Sequence, residues 1–197
     1  IECTTPKPEW IEGLNRMDMN IVPSNFVKET FSKVVFDKMD EQKNQKIGEV
    51  RLTKPMEVLF EGVDTNVYGK TKEFSTDLIK EMELVENNWN FLFVGHWLQG
   101  DFGHDRKDLA SMIQTFLTTF KGKKNAPGLI LKTSQATFSV MDRTEVLKKI
   151  RLIKENIHSG AKDFPNIYLL HGDLEDEEMN QLYNHPKVKA HITFTHG

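Results

Sequence analysis

Cys3 is the only cysteine among 197 residues. One thiol cannot form an intrachain disulfide, and so low a count fits a reducing compartment, read here as the cytoplasm. Cys3 lies near the chain start with no partner in view, which argues against a catalytic thiol. No apolar run approaches the ~18 residues needed to cross a membrane, and the first residues carry no signal-peptide pattern. An association peripheral to a membrane stays open. An excess of charge of one sign is also lacking. Lysine plus arginine number 26 against 29 aspartate plus glutamate, for a net charge of -3. That balance weighs against a nucleic-acid binder, which is usually basic on one face. Several motifs are missing too. There is no GxGxxG, no GxxxxGK[ST], no HExxH and no GxSxG. The seven histidines form no metal pattern. Neither a metal nor another cofactor is expected. No solenoid repeat or low-complexity tract is found.

What remains is the composition of a globular α/β protein, 38% hydrophobic and 28% charged. Glu9 to Asp18 suits a short helix with Trp10, Ile11 and Leu14 on one face. Met19 to Val22 reads as a buried strand. Pro23 breaks it, and Ser24 is a good N-cap for a helix over Asn25 to Val35, with Phe26, Thr30, Phe31 and Val34 toward the core. Asp37 to Lys54 is polar and shows no clear element. Met56 to Phe60 is a second strand candidate. Strand, helix, strand suits a parallel α/β layer. Ser75 to Val85 is amphipathic, with Leu78, Met82 and Val85 at helical spacing. The loss of strand signals places a domain boundary between about Gly69 and Asn88.

The chain is organised around Asn90 to His96, a short apolar run ending in Gly95. A polar loop follows, with glycines at 100 and 103, and Arg106 and Lys107 stand where the next helix starts. Asp108 to Phe120 is the clearest helix, with Leu109, Met112, Ile113, Phe116, Leu117 and Phe120 at three- and four-residue steps. Gly122 and the lysines around it suit its C-terminus. Gly128 to Lys132 is the next strand. Asp142 with Glu145 three residues on reads as a capping box for a helix that buries Val146, Ile150, Ile153 and Ile157. Asn166 to Leu170 is a third strand and Glu175 to Tyr183 a short helix with Met179, Leu182 and Tyr183 inward. Ala190 to Phe194 is a fourth strand.

In an open parallel sheet, ligands bind outside the carboxyl ends of the strands. Four such ends would converge on one crevice: the Gly95 loop, Lys132-Thr133-Ser134, His171-Gly172-Asp173 and Thr195-His196-Gly197. Arg can chelate a phosphate through two parallel hydrogen bonds, and Lys supplies a point charge. Cations at a helix N-terminus oppose its macrodipole unless an anion joins them. Each feature has a plainer reading. Arg106 and Lys107 suit a solvated surface pair, Lys132 an exposed strand-end lysine, and Asp173 a helix N-cap.

The ordered set Ile21-Val22-Pro23-Ser24, Phe60-Glu61-Gly62-Val63-Asp64, Phe91-Leu92-Phe93-Val94-Gly95 and Arg106-Lys107-Asp108 resembles the GT-B glycosyltransferases of group 1 (GT4-like). Gly172-Asp173-Leu174 with Glu177, Glu178, Met179, Leu182 and Tyr183 resembles the family's next signature. Ile192 to Gly197 resembles the strand leading into its Glu-x7-Glu element. The resemblance covers nearly the whole chain but only part of a family member. It implies Rossmann-like parallel sheets, incomplete in both domains. Residues 1–72 would be the end of the N-terminal, acceptor-side domain plus the start of a linker, 73–88 a linker helix, and 89–197 the first half of the nucleotide-sugar-binding domain. Two departures stand out. His96 occupies the place of a frequent arginine, with Arg106 as its substitute, and Asp108 replaces the glycine of the family's Lys-Gly pair.

The implied reaction is sugar transfer from a nucleotide-diphosphate sugar to an acceptor hydroxyl, with retention of anomeric configuration. Gly95, His96, Arg106, Lys107 and Lys132 would hold the donor diphosphate. Gly172, Asp173, His196 and Gly197 would line the donor crevice. The chain halts before the acidic element, so its catalytic residues are unassigned and the chain alone is expected to be inactive. Alternatives are a GT-B-like nucleotide-sugar epimerase and a non-catalytic nucleotide-binding or assembly domain. An uncovered sheet edge favours a homo-oligomer.

Overall fold

The computed structural model describes residues 4–40, 43–98, 105, 107–157 and 163–195. The chain forms two compact units, Ile1–Val63 and Asp64–His196.

In the first unit, helix α1 (Pro8–Leu14) precedes strand β1 (Asn20–Val22) and helix α2 (Asn25–Lys33). Ser24 caps α2 as expected, its hydroxyl accepting from the Val27 N–H at 3.2 Å. Ile11, Val27, Phe31 and Met56 form the core. The buried face of α2 is therefore the Val27–Phe31 stripe, four residues apart, and Phe26, one step round the helix, is 57% exposed. The expectation of Phe26 in the core is corrected on that ground. Helix α2 also ends earlier than Val35, because Val34 turns to extended backbone and Val35 opens strand β2 (Val35–Asp40). Strand β3 (Gln45–Arg51) pairs antiparallel with it, so the polar stretch without a clear element is a β-hairpin. Asn44, at φ 46°, makes its turn. Strand β4 (Met56–Val58) pairs parallel with β1.

The second unit is a Rossmann-like α/β layer. Helix α3 (Thr76–Glu83), strand β5 (Asn90–Val94), helix α4 (Leu109–Phe120), strand β6 (Gly128–Lys132), helix α5 (Val140–Asn156), strand β7 (Ile167–Leu170), helix α6 (Asp176–Asn184) and strand β8 (Val188–His191) follow in order. The four strands are all parallel, in the order β7-β6-β5-β8. Side chains alternate across a strand, and this alternation sorts the helices. Phe91, Phe93, Leu129 and Leu131 pack against α4 and α5. Leu92 and Ile130 pack against α3 and α6. Covered on both faces, β5 and β6 are near-continuous apolar runs, as buried parallel strands require.

Register fixes where the strands end. Val94 pairs with Lys132 and Lys132 with Leu170. Gly95, Thr133 and His171 therefore leave the sheet side by side. Strand β8 runs over Val188–His191 rather than Ala190 to Phe194. Ahead of α3, the irregular segment from Asp64 is strapped to α6. The Gly69 N–H donates to Asn180 Oδ1 (3.1 Å), the Ser75 N–H to Gln181 Oε1 (2.6 Å) and the Tyr68 hydroxyl to Asp176 Oδ1 (2.9 Å).

Candidate functional site

The carboxyl ends of β5, β6 and β7 enclose a cleft of about 420 Å³. Val94, Gly95 and His96 form one wall, Lys132, Thr133, Ser134 and Phe138 the next, and Asp173, Leu174 and Met179 the third.

Gly95 is fixed by local geometry. Its φ is 155°, and a Cβ there would stand 3.1 Å from Phe93 Cζ and 3.7 Å from Lys107 Cε. Its N–H donates to the Lys132 carbonyl at 3.1 Å, and the Trp97 N–H donates to the Ser134 carbonyl at 2.7 Å. Both donors are committed to the neighbouring loop. What Gly95 offers a ligand is open space, not a hydrogen bond. His96 is exposed, and its Nδ1 lies 3.1 Å from Ser134 Oγ.

Lys132 is half-buried and its ammonium donates to the Gly172 carbonyl. It also lies 5.2 Å from the Phe138 ring centroid, within cation–π range. Burial pulls its pKa below the ordinary lysine value, and the Asp173 carboxylate pulls the other way. The plain reading of an exposed strand-end lysine is thereby corrected. Beside it, Thr133 is 3% exposed, and its Oγ1 is buried without a hydrogen-bond partner among the described residues.

Asp173 is not the helix N-cap. Glu175 holds that position and closes a capping box with Glu178, leaving Asp173 exposed at the cleft with its Oδ1 accepting from the Leu174 N–H at 3.1 Å. Asp142 is not a cap either. Ser139 caps α5, its hydroxyl accepting from the Asp142 N–H at 3.1 Å. The Asp142 carboxylate turns inward instead and takes the His171 Nε2 at 2.8 Å. It also accepts the N–H groups of Gln135 (3.1 Å) and Ala136 (3.4 Å). Burial pushes its carboxyl up, but the bonds from His171, Gln135 and Ala136 outweigh this and hold it below the usual aspartate value.

Of the residues singled out in the sequence, Gly95, His96, Lys132 and Asp173 line the cleft, Gly172 anchors Lys132, and Lys107 reaches the Gly95 side. Arg106, His196 and Gly197 lie outside the described residues. Asp108, which stands where the resembled family has glycine, adopts the left-handed conformation at φ 43° and ψ 41° that glycine favours. From the sequence, Leu174 and Met179 belong to the resembled signature but not to the cleft, and neither Phe138 nor the pairing of Asp142 with His171 stands out. Among the described residues, no group of three His, Cys, Asp or Glu side chains is placed to hold a metal ion, and no helix is long and apolar enough to cross a membrane. In comparisons with protein-family models and with curated proteins, the chain matches none of either.

Proposed function

We propose that the cleft binds the diphosphate end of a nucleotide-diphosphate sugar, and that the protein transfers the sugar to an acceptor hydroxyl as GT-B glycosyltransferases do. The observation that carries this reading is the convergence of Gly95, Lys132, Thr133 and the Gly172-Asp173 turn at three adjacent carboxyl ends of a parallel sheet. This is the edge at which such sheets take nucleotides. The ordered motifs of the sequence support the same reading.

The bond between the anomeric carbon and the phosphate oxygen breaks, a bond to the acceptor oxygen forms, and the acceptor's proton passes to the departing phosphate oxygen or to water. Negative charge gathers on the departing diphosphate. Lys107 and Lys132, with Arg106 next to Lys107 in the sequence, supply the compensating positive charge. Asp173 suits sugar hydroxyls, which donate to a carboxylate, better than it suits phosphate. The lone cysteine supports a reducing, cytoplasmic setting.

Calorimetric titration with UDP, GDP, ADP and their sugars, with Lys107→Ala beside the parent, tests the reading. Binding of one nucleoside diphosphate, weakened in the variant, is expected. No binding of any of them would sink it. Release of an epimerised donor without an acceptor would replace transfer by epimerisation, and binding with no turnover even when the Glu-x7-Glu element is supplied would replace it by simple nucleotide binding.

A further inference from the structure

The loops that wall the cleft are tied together underneath by a buried acid–base pair. His171 and Asp142 meet at 2.8 Å with side chains only 4% and 7% exposed. The lysine–carboxylate pairs from Lys28–Glu57 to Lys148–Glu145 lie on the surface instead, every partner being more than a third exposed. A buried pair is weak evidence for stability, because desolvation offsets its attraction. A location so costly to a carboxylate therefore directs attention to what its hydrogen bonds hold in place.

It holds two loops. On one side, Asp142 receives the N–H groups of Gln135 and Ala136, in the loop that carries Thr133, Ser134 and Phe138. On the other, His171 is the first residue past β7, immediately before the Gly172 carbonyl that receives the Lys132 ammonium. Phe138 closes the arrangement. Its ring meets the His171 ring edge-on, with centroids 6.0 Å apart, while Lys132 lies over the same phenyl ring. One carboxylate thus bonds to both loops that support the cleft's half-buried cation.

We propose that Asp142 and His171 are positioning residues that set the place of Lys132 and Phe138 in the cleft. The inference rests on the reading that the cleft takes a nucleoside diphosphate. Neither side chain needs to touch the ligand. Their effect is to present the Lys132 ammonium at a fixed point between the Gly172 carbonyl and the Phe138 ring, so that a diphosphate meets it already ordered.

His171→Leu removes the donor at similar bulk. His171→Gln restores an N–H near the position of Nε2. The affinity of the folded fraction for UDP, GDP and ADP is measured well below the melting temperature. In parallel, the chemical shift of the Lys132 ε-methylene reports its place over the Phe138 ring. The expected result is a tenfold or greater loss of affinity in His171→Leu, with the Lys132 resonance moved toward that of a free lysine. Both return to within about threefold of the parent, and to the parent shift, in His171→Gln. If His171→Leu does not fold, His171→Asn, too short to reach Asp142, takes its place with the same expectation.

A lowered melting temperature with affinity and Lys132 resonance unchanged would overturn the inference, leaving the pair a structural one. A parent that binds none of the three nucleotides would overturn the nucleotide reading instead. The Lys132 resonance would still decide the positioning role, unmoved against it and moved in its favour.

Discussion

Replacing Lys132 by methionine separates binding from folding at this site. The two side chains share a flexible stem of similar reach, so packing against Phe138 is kept while the charge is lost. In the parent, the ammonium donates to Gly172 and has two further N–H groups for a ligand. Removing a charge-assisted hydrogen bond to a phosphate costs ~1.5–3 kcal/mol, which is roughly a 10- to 150-fold weaker Kd. Stability changes far less. The Gly172 carbonyl loses a partner, at about 1 kcal/mol, while a half-buried charge no longer has to be desolvated. These opposed terms leave the net within about 1 kcal/mol.

The pH dependence has a definite sign. Burial lowers the folded pKa of Lys132 below that of the unfolded chain, so the unfolded state holds more protons in the interval between them. Stability of the parent rises with pH through that interval, and the variant lacks the rise. Ligand affinity goes the other way, falling as pH passes the lowered value and the amine loses its charge. Calorimetry with the nucleoside diphosphate that the parent binds, alongside urea unfolding, reads both. An affinity within twofold of the parent would refute the argument.

Three further outcomes follow from the described geometry. Gly128→Ala would place a Cβ 2.0 Å from Asn90 Oδ1 and 3.0 Å from Tyr168 Cε2; overpacking of this kind costs ~1–3 kcal/mol or more, to be read as a lowered urea midpoint. Asp108→Gly should be more stable than Asp108→Ala by about 0.5–1 kcal/mol, since both lose the side chain and only alanine keeps the left-handed strain; equal urea midpoints would contradict this. His185 is held below the ordinary histidine pKa by burial first and by Lys187 second, and its Nδ1 accepts the Lys187 N–H. Its contribution to stability is therefore complete above the unfolded histidine pKa and declines as pH falls from there through the folded value. His185→Gln should flatten that part of a pH–stability curve.

The parts of this molecule legible in the sequence are those where burial dictates the residue type. Strands β5 and β6 and helix α4 are covered on the faces that matter, so apolar runs and three- and four-residue spacing declare them. The hairpin β2–β3 was not legible because most of its side chains face water. Its turn is Asn44 followed by glutamine, not the Asn-Gly that marks tight hairpins. At α5, two patterns compete three residues apart. Ser139-Val140-Met141-Asp142 and Asp142-Arg143-Thr144-Glu145 both read as capping boxes, and the choice between them rests on His171, 29 residues beyond Asp142. No local pattern carries that information. The cleft itself was legible through topology: parallel strands bring their carboxyl ends together whatever the loops contain. Phe138 was not, because its place over Lys132 depends on how the loop is held by Asp142.

The two ends of the four-stranded sheet treat their polar groups differently, and that difference bears on the proposed ligand cleft. At the amino end the groups satisfy one another. Asn87 Oδ1 accepts from the Tyr168 hydroxyl (2.6 Å) and from Asn166 Nδ2 (2.9 Å), and Asn87 Nδ2 donates to the Ala126 carbonyl (3.1 Å). Asn90 Nδ2 donates to the carbonyls of Asn87 and Lys187, and Lys187 Nζ closes the end of α3 on the Met82 carbonyl. Asn90 Oδ1 is the exception there, buried without a partner among the described residues. At the carboxyl end, Thr133 Oγ1 is buried without a partner among the described residues, as are Trp97 Nε1 and Asp105 Oδ2 after β5. Buried polar atoms are nearly always satisfied in a working protein, and around Asn87 the clasp at the amino end is already complete. Asn87→Ala should therefore lower stability by about 1–3 kcal/mol, through three lost bonds in a partly buried clasp. The nucleotide affinity of its folded fraction should not change. If Asn87→Ala weakened binding as strongly as Lys132→Met does, the two ends would not be separable, and the carboxyl-end cleft would lose its claim to be the binding site.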